Sequence, residues 1–208
     1  MLLFRRGNFT EAEKHFRAAI KRLTFRSPNP FNSEAYYNLG LVLFYQDRKE
    51  EAFDAFYKAT WSNEQQEMSF YYLAAIEAGR ANYEEALELI EKGLVKNSHN
   101  IKARALKQSF FGNWEEQRRQ KNWIAENLKV DAFDYMSGFE LALSEEDNTE
   151  ILSEMNCLMR NFQENYLMTA RDYADAGCYE EAIAILEQCT KAYPLLSYYK
   201  GYYYAKLG

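Results

Sequence analysis

Apolar residues recur every three or four positions along almost the whole chain, whereas strict alternation of apolar and polar residues is scarce. This spacing is typical of amphipathic α-helices, which turn one apolar stripe toward a core. Only three prolines occur, at Pro28, Pro30 and Pro194, so residues that interrupt helices are rare. The pattern therefore predicts an all-α protein.

A short sequence motif related to Glu-Glu-Ala recurs along the chain at similar intervals. Its copies end at Ala12, Ala52, Ala86, Gln117, Ile151 and Ala182, which gives steps of 40, 34, 31, 34 and 31 residues. A period of about 34 residues resembles that of tetratricopeptide repeat (TPR) arrays, in which each repeat is a pair of helices. Each acidic pair would then open the second helix of a repeat, where carboxylates oppose the helix dipole. We therefore interpret these acidic pairs as structural rather than catalytic.

The stretch "AYYNLGLVLFYQDRKEEAFDAFYKA" at 35–59 resembles a TPR repeat most fully. Small residues at Gly40, Ala52 and Ala59 would allow two helices to approach closely, and aromatic residues such as Tyr36 and Phe56 would fill the space between them. The resemblance implies a TPR-type α–α superhelix, which is a right-handed solenoid of antiparallel helix pairs.

We expect a single solenoid over residues 1–208, with truncated half-repeats at 1–24 and 195–208. The expected helix pairs lie at about 33–62, 67–96, 101–128, 132–161 and 163–191. A solenoid normally covers its terminal repeats with polar faces. The phrases "LLF" and "YYY" would instead leave apolar end helices bare, so a homodimer through these exposed end helices is expected.

The composition excludes several classes of partner. Hydrophobic residues make up 48% of the chain and the net charge is −6, so the chain can bury a core but lacks the basic surface that nucleic acid or an anionic membrane requires. No apolar run approaches the roughly 20 residues that span a bilayer. Three widely spaced cysteines suggest free thiols in a reducing compartment. We therefore expect a cytoplasmic protein that binds neither nucleic acid nor membrane.

The sequence offers no arrangement for catalysis, and we expect no catalytic, cofactor-binding or metal-binding residue. The two histidines, His15 and His99, are far apart, and no set of ligands has the spacing of a zinc site. Glycine-rich phosphate loops and the nucleophile elbow are also missing. The segment is therefore predicted not to be an enzyme and to need no cofactor.

Aromatic residues are frequent in the first helix of several repeats. In TPR proteins the first helices line a concave surface, so these residues would face a groove suited to peptide side chains or to the faces of sugars. The alternative is that the rings pack within the chain or against another domain. The candidate groove residues are Tyr37, Asn38, Leu41, Phe44, Tyr45, Met68, Tyr71, Tyr72, Ala75, Tyr198 and Tyr202.

Four stretches, at 22–61, 98–107, 172–186 and 198–208, resemble the C-terminal TPR segment of large bacterial proteins that begin with a mutarotase-like β-sandwich region of unknown function. The resemblance implies a bacterial origin and a missing N-terminal region. We predict a non-enzymatic scaffold for protein–protein or interdomain interaction, whose partner is a protein, a peptide or its own upstream domains. The alternative is an accessory C-terminal region of a carbohydrate-active or sugar-binding multidomain protein, with carbohydrate as the ligand.

Overall fold

The computed structural model describes residues 1–28, 30–108, 110, 114–145 and 147–208, and their side chains except those of 114–119. These residues form α-helices and contain no strand, which confirms the predicted all-α class. The helices within the described residues are α1 (Leu2–Arg5), α2 (Phe9–Leu23), α3 (Glu34–Tyr45), α4 (Lys49–Ala59), α5 (Asn63–Gly79), α6 (Tyr83–Lys96), α7 (Ile101–Gln108), α8 (Trp114–Val130), α9 (Tyr135–Leu143), α10 (Thr149–Met159), α11 (Gln163–Asp175), α12 (Tyr179–Glu187) and α13 (Pro194–Leu207).

The chain divides into two compact units. Unit 1 consists of Met1–Ile76 and Glu84–Ser98, and unit 2 consists of Glu77–Tyr83 and His99–Gly208. The expected single solenoid and its handedness stay predictions.

Helices α3 and α4 of unit 1 form an antiparallel pair. The hydroxyl of Ser33, just before α3, donates a hydrogen bond of 2.7 Å to the carbonyl of Ala59 at the end of α4. At the other end, the backbone N–H of Arg48, just before α4, donates to the carbonyl of Leu43 near the end of α3. The start of each helix therefore lies beside the end of the other, as in a TPR repeat.

Helices α11 and α12 repeat this arrangement in unit 2. The side-chain amide of Asn161, which precedes α11, donates to the hydroxyl of Thr190, which follows α12, over 2.7 Å. Between the two helices, the N–H of Cys178 donates to the carbonyl of Tyr173. Both units are thus built from paired helices joined by short turns.

The turn inside four of the pairs has the same hydrogen-bonding pattern. One residue in each turn has a positive φ angle, and the N–H of the next residue bonds to the carbonyl five positions back, which closes the preceding helix. The positive-φ residues are Gly7, Asp47, Ala81 and Gly177. Four similar turns indicate that the repeat seen in the sequence is also a structural repeat.

Gly40 allows α3 and α4 to approach closely. A Cβ atom at this position would lie 2.6 Å from the ring of Phe56, which is fully buried. Ala52 and Ala59 of α4 are also fully buried. The close neighbour of Gly40 is therefore an aromatic ring rather than the backbone of the facing helix.

Helix α12 ends at Glu187, before the limit of 191 expected from the sequence. Pro194 occupies the first turn of α13, and Tyr193 before it is extended, with φ −148° and ψ 124°. A proline disfavours the helical conformation of the residue that precedes it. The connection between α12 and α13 therefore ends in an extended residue, Tyr193.

Candidate functional site

The structure separates the eleven candidate groove residues by exposure. Nine lie in unit 1, on α3 and α5, and two lie on α13 of unit 2. The buried residues are Asn38, Leu41, Phe44, Tyr71 and Ala75, and the half-buried residues are Tyr37, Tyr45, Met68 and Tyr72. Tyr198 and Tyr202 are exposed. The half-buried and exposed members present the most surface to a ligand.

The ring of Tyr72 lies at the centre of an aromatic cluster in unit 1. It stacks on the ring of Phe56, with centroids 4.9 Å apart and an interplanar angle of 6°. Phe44 meets it edge to face at 5.2 Å, and Tyr37 is 6.3 Å away. Aromatic pairs of this kind contribute about 0.5–1.5 kcal/mol beyond the area that they bury. The cluster therefore holds Tyr72 and Tyr37 in defined positions.

The edge of this cluster carries tyrosine hydroxyls. Burial, together with the nearby Tyr45 and Glu67, raises the pKa of Tyr37 to about 12. Tyr37 therefore remains protonated at neutral pH, and its hydroxyl can donate a hydrogen bond. Tyr45 lies between Phe44 and Phe4, at centroid distances of 5.4 and 5.8 Å. This half-buried surface of Tyr37, Tyr45, Met68 and Tyr72 is called the tyrosine face below.

The side-chain amide of Asn38 contacts another residue of its own helix, α3. Asn38 is buried, and its Nδ2 atom lies 3.5 Å from a carboxylate oxygen of Glu34 one turn earlier. This contact is within the chain, so the structure does not present Asn38 as part of the tyrosine face.

A buried carboxyl in unit 2 was not recognised in the sequence. Glu140 of α9 is only 8% exposed. Its two oxygens accept hydrogen bonds from the hydroxyl of Tyr173 at 2.8 Å and from the amide of Gln120 at 3.2 Å. Burial raises the pKa of Glu140 to about 7, against the lowering effect of the Tyr173 hydrogen bond. Glu140 stands in the mainly apolar phrase "GFELAL", and no sequence motif marks it.

Glu140 borders a cavity of about 300 Å³ together with Gln120, Lys121, Leu143 and Ser144. The ammonium of Lys121 lies 2.7 Å from a carboxylate oxygen of Glu145, so this charge is already compensated. No group of His, Cys, Asp and Glu side chains among the described residues has the arrangement of a metal site. We interpret the Glu140 hydrogen bonds as part of the packing of unit 2.

The two histidines lie on the surface, well separated in the sequence. His15 is 3.9 Å from a carboxylate oxygen of Glu11 on the same helix, and His99 is exposed in the connection before α7. Within the described part of the chain, no helix is both long and apolar enough to cross a membrane.

Paired antiparallel helices with recurring turns define an α-helical repeat protein. The tetratricopeptide repeat family matches residues 1–65 and 167–208, which together make up just over half of the chain. The chain belongs to the tetratricopeptide repeat family. Members of this family are generally non-enzymatic scaffolds for protein–protein interaction.

Solved structures support the same fold. A tetratricopeptide repeat protein from Parabacteroides merdae is 18% identical, with a TM-score of 0.66 over 99% of this chain and 82% of that one. A TPR protein from Thermus thermophilus is 16% identical, with a TM-score of 0.58 over 84% of this chain and 98% of that one. YrrB, described as a TPR protein with an unusual peptide-binding site, is 14% identical, with a TM-score of 0.57 over 92% of this chain and 100% of that one. A comparison with curated proteins found no match.

Proposed function

We propose that this chain is a non-enzymatic scaffold that binds a protein or peptide through the tyrosine face of α3 and α5. The observation that carries this proposal is the half-buried state of Tyr37, Tyr45 and Tyr72 on a fixed aromatic cluster, with the half-buried Met68 one helical turn before Tyr72. A ring that is already held in place loses little conformational entropy when a partner binds. Binding would therefore draw on preorganised apolar contacts with a few aromatic anchors.

Similar structures support binding of this kind. YrrB is described as having a peptide-binding site, and the assembly chaperone of RpL4, Acl4, shares the fold at 14% identity with a TM-score of 0.60. We propose that the bound segment belongs to a partner protein or to upstream domains of a longer bacterial protein, such as a mutarotase-like β-sandwich. The composition supports a cytoplasmic location for this interaction.

The alternative function, as the accessory C-terminal region of a carbohydrate-active protein, requires an aromatic ring whose face is open to a sugar. In unit 1 one face of Tyr72 is covered by Phe56 at 4.9 Å, and Tyr71 is only 2% exposed. The tyrosine face also contains Met68, whose flexible thioether side chain suits apolar peptide side chains. This geometry favours a peptide over a sugar.

The experiment is a selection of peptides from a random displayed library against the purified chain, followed by affinity measurements on two variants. Tyr45→Lys and Met68→Lys each place a charge on the tyrosine face, and Met68→Lys also keeps an unbranched side chain. The matched control is Tyr57→Lys, because Tyr57 is exposed on α4 and is not part of the tyrosine face. Circular dichroism and thermal unfolding check that each variant is folded.

We expect each variant of the tyrosine face to bind the selected peptides at least tenfold more weakly. The control variant should bind them with an affinity within a factor of two of the unchanged protein. Equal effects of all three changes, or a library that yields no binder, would contradict the proposal. Saturable binding of an oligosaccharide that is lost in Met68→Lys would favour the alternative function.

A further inference from the structure

A cleft on the other side of the first repeats has no role in the proposed function. It lies in unit 1 between the second helices α2 and α4, with α3 as its floor, and encloses about 490 Å³. This volume is within the range of ligand-binding pockets. Its apolar lining consists of the half-buried Ile20 and of Tyr36, Leu39, Leu43 and Ala55. Of these four, Tyr36 and Leu39 keep the most exposed surface, at 8% and 5%.

One end of this α2–α4 cleft is closed by a network of four charged residues. Arg17 of α2 contacts Glu13 at 2.7 Å and Glu51 of α4 at 3.0 Å. Arg48 contacts the same two carboxylates at 2.6 and 2.7 Å. Although burial tends to raise the pKa of Glu13, hydrogen bonds from Arg17, Arg48 and Gln46 outweigh this effect and lower it. The network joins the two helices and compensates the charges of Arg17 and Glu51.

Three charged residues remain along the open part of the α2–α4 cleft, namely Lys21, Asp54 and Lys58. None of them forms an ion pair with another residue in the part of the chain that the structure describes. The ammonium of Lys58 lies 5.7 Å from the centroid of the Tyr36 ring, next to the apolar floor. Two ammonium groups face one carboxylate, so this opening is positive although the whole chain carries −6. An anionic group beside an apolar side chain would complement it.

Beyond the end of α4, unit 1 exposes further aromatic residues. Trp61 follows Lys58 by three positions and is 50% exposed, and Phe31 is fully exposed. Both line a second cavity of about 520 Å³ together with Pro30, Ser62, Asn63 and Glu64. Exposed aromatic residues beside a cavity are typical anchor points for a partner.

We propose that the α2–α4 cleft binds a peptide segment that inserts an aliphatic or aromatic side chain over Tyr36 and Leu39 and places a neighbouring carboxylate beside Lys21 and Lys58. This binding surface is formed by α2, α3 and α4, and it includes none of the residues of the tyrosine face.

The test uses two pools of fluorescein-labelled heptapeptides and fluorescence anisotropy. In the first pool glutamate alternates with leucine, isoleucine or phenylalanine, and in the second pool glutamine replaces glutamate. The variant combines Lys21→Glu with Lys58→Glu. The charge-matched control combines Lys14→Glu with Lys92→Glu, since both lysines are exposed and lie outside the cleft.

We expect the glutamate pool to bind at least fivefold more tightly than the glutamine pool. Its binding should become weaker as salt is added, because salt screens the interaction between exposed charges. The Lys21/Lys58 variant should lose at least tenfold in affinity for the glutamate pool, and the control variant less than twofold. Equal binding of both pools, equal losses in both variants, or no binding of the glutamate pool would overturn the proposal. Met68→Lys should leave binding of the glutamate pool unchanged, which separates this result from the test of the tyrosine face.

Discussion

Glu140 is a single residue that can make the stability of unit 2 depend on pH. Its carboxyl is buried, both oxygens accept hydrogen bonds, and it has no ion pair with any described residue. Burial favours the neutral form, so the pKa is raised to about 7. Tyr173, the nearby Glu181 and the cavity-lining Lys121 are the ionisable groups around it.

Between the unfolded pKa of roughly 4.5 and the folded pKa of about 7, the folded protein holds a proton that the unfolded chain has released. The free energy of unfolding should therefore fall as pH rises through this window. Glu140→Gln removes this dependence because an amide does not ionise, and it should stabilise the protein at pH 8 by on the order of 2 kcal/mol. At pH 4.5 the two proteins should be almost equally stable. Urea unfolding at both pH values measures the difference.

Glu154→Gln, at an exposed position of α10, is the control and should change stability by little at either pH. If Glu140→Gln changed the stability by the same amount at pH 4.5 and at pH 8, Glu140 would not be the source of the pH dependence.

At the scale of helices and turns, the same turn conformation joins the two helices of four pairs. Three of these turns are occupied by different kinds of residue, with glycine at Gly177, alanine at Ala81 and aspartate at Asp47, all with φ between 61° and 81°. A residue that has a Cβ atom is destabilised by about 1–2 kcal/mol in this left-handed conformation, whereas glycine is not. The conformation is therefore imposed by the packing of the pair and not by the residue alone.

Ala81→Gly should raise the free energy of unfolding by about 0.5 kcal/mol. Glycine adopts the left-handed conformation without strain, and this gain exceeds the loss that comes from the greater flexibility of glycine in the unfolded chain. Gly177→Ala should lower the free energy of unfolding by about 1–3 kcal/mol, since an alanine at φ +81° is strained and its Cβ would lie 3.0 Å from the Cα of Gly79. Chemical denaturation of both variants measures the change.

Gly201→Ala is the matched control, because Gly201 lies within α13 and a Cβ there meets no atom within 4 Å. It should be stabilising by up to about 1 kcal/mol, as expected for alanine in a helix. A destabilising Ala81→Gly would show that the turn depends on the alanine methyl group.

At the scale of the whole molecule, α13 exposes an aromatic surface that the rest of unit 2 does not cover. Leu196 and Tyr203 are buried, whereas Tyr198 and Tyr202 are 65% and 46% exposed and lie one turn apart. Side chains four residues apart share one face of a helix. The exposed face of α13 is therefore available to another helix.

We predict a homodimer that forms through this face of α13. The double change Tyr198→Lys and Tyr202→Lys should shift the protein to a monomer, because two like charges would face their copies across the interface. Analytical ultracentrifugation over a range of concentrations gives the mass. Tyr57→Lys on α4 is the control and should remain dimeric; a monomer at every concentration of the unchanged protein would refute the prediction.

Neighbouring tyrosines show what could and could not be read from the sequence. The helical period placed Tyr71 and Tyr72 on one candidate groove, yet Tyr71 is 2% exposed while Tyr72 remains half-buried. Periodicity gives the direction of a side chain around its own helix, but not which neighbouring helix covers it. The tyrosine face therefore contains only some of the residues that the pattern indicated.

The sequence by itself determined the all-α class and the repeat, because apolar periodicity and the small residues of the helix pairs are local properties of the chain. The tertiary structure alone decided that Glu140 is buried and that the Phe56 ring covers one face of Tyr72. It also decided that α2 and α4 leave a cleft beside Lys21 and Lys58. These features depend on contacts between residues far apart in the chain, and the fit of their side chains exists only once the helices are packed.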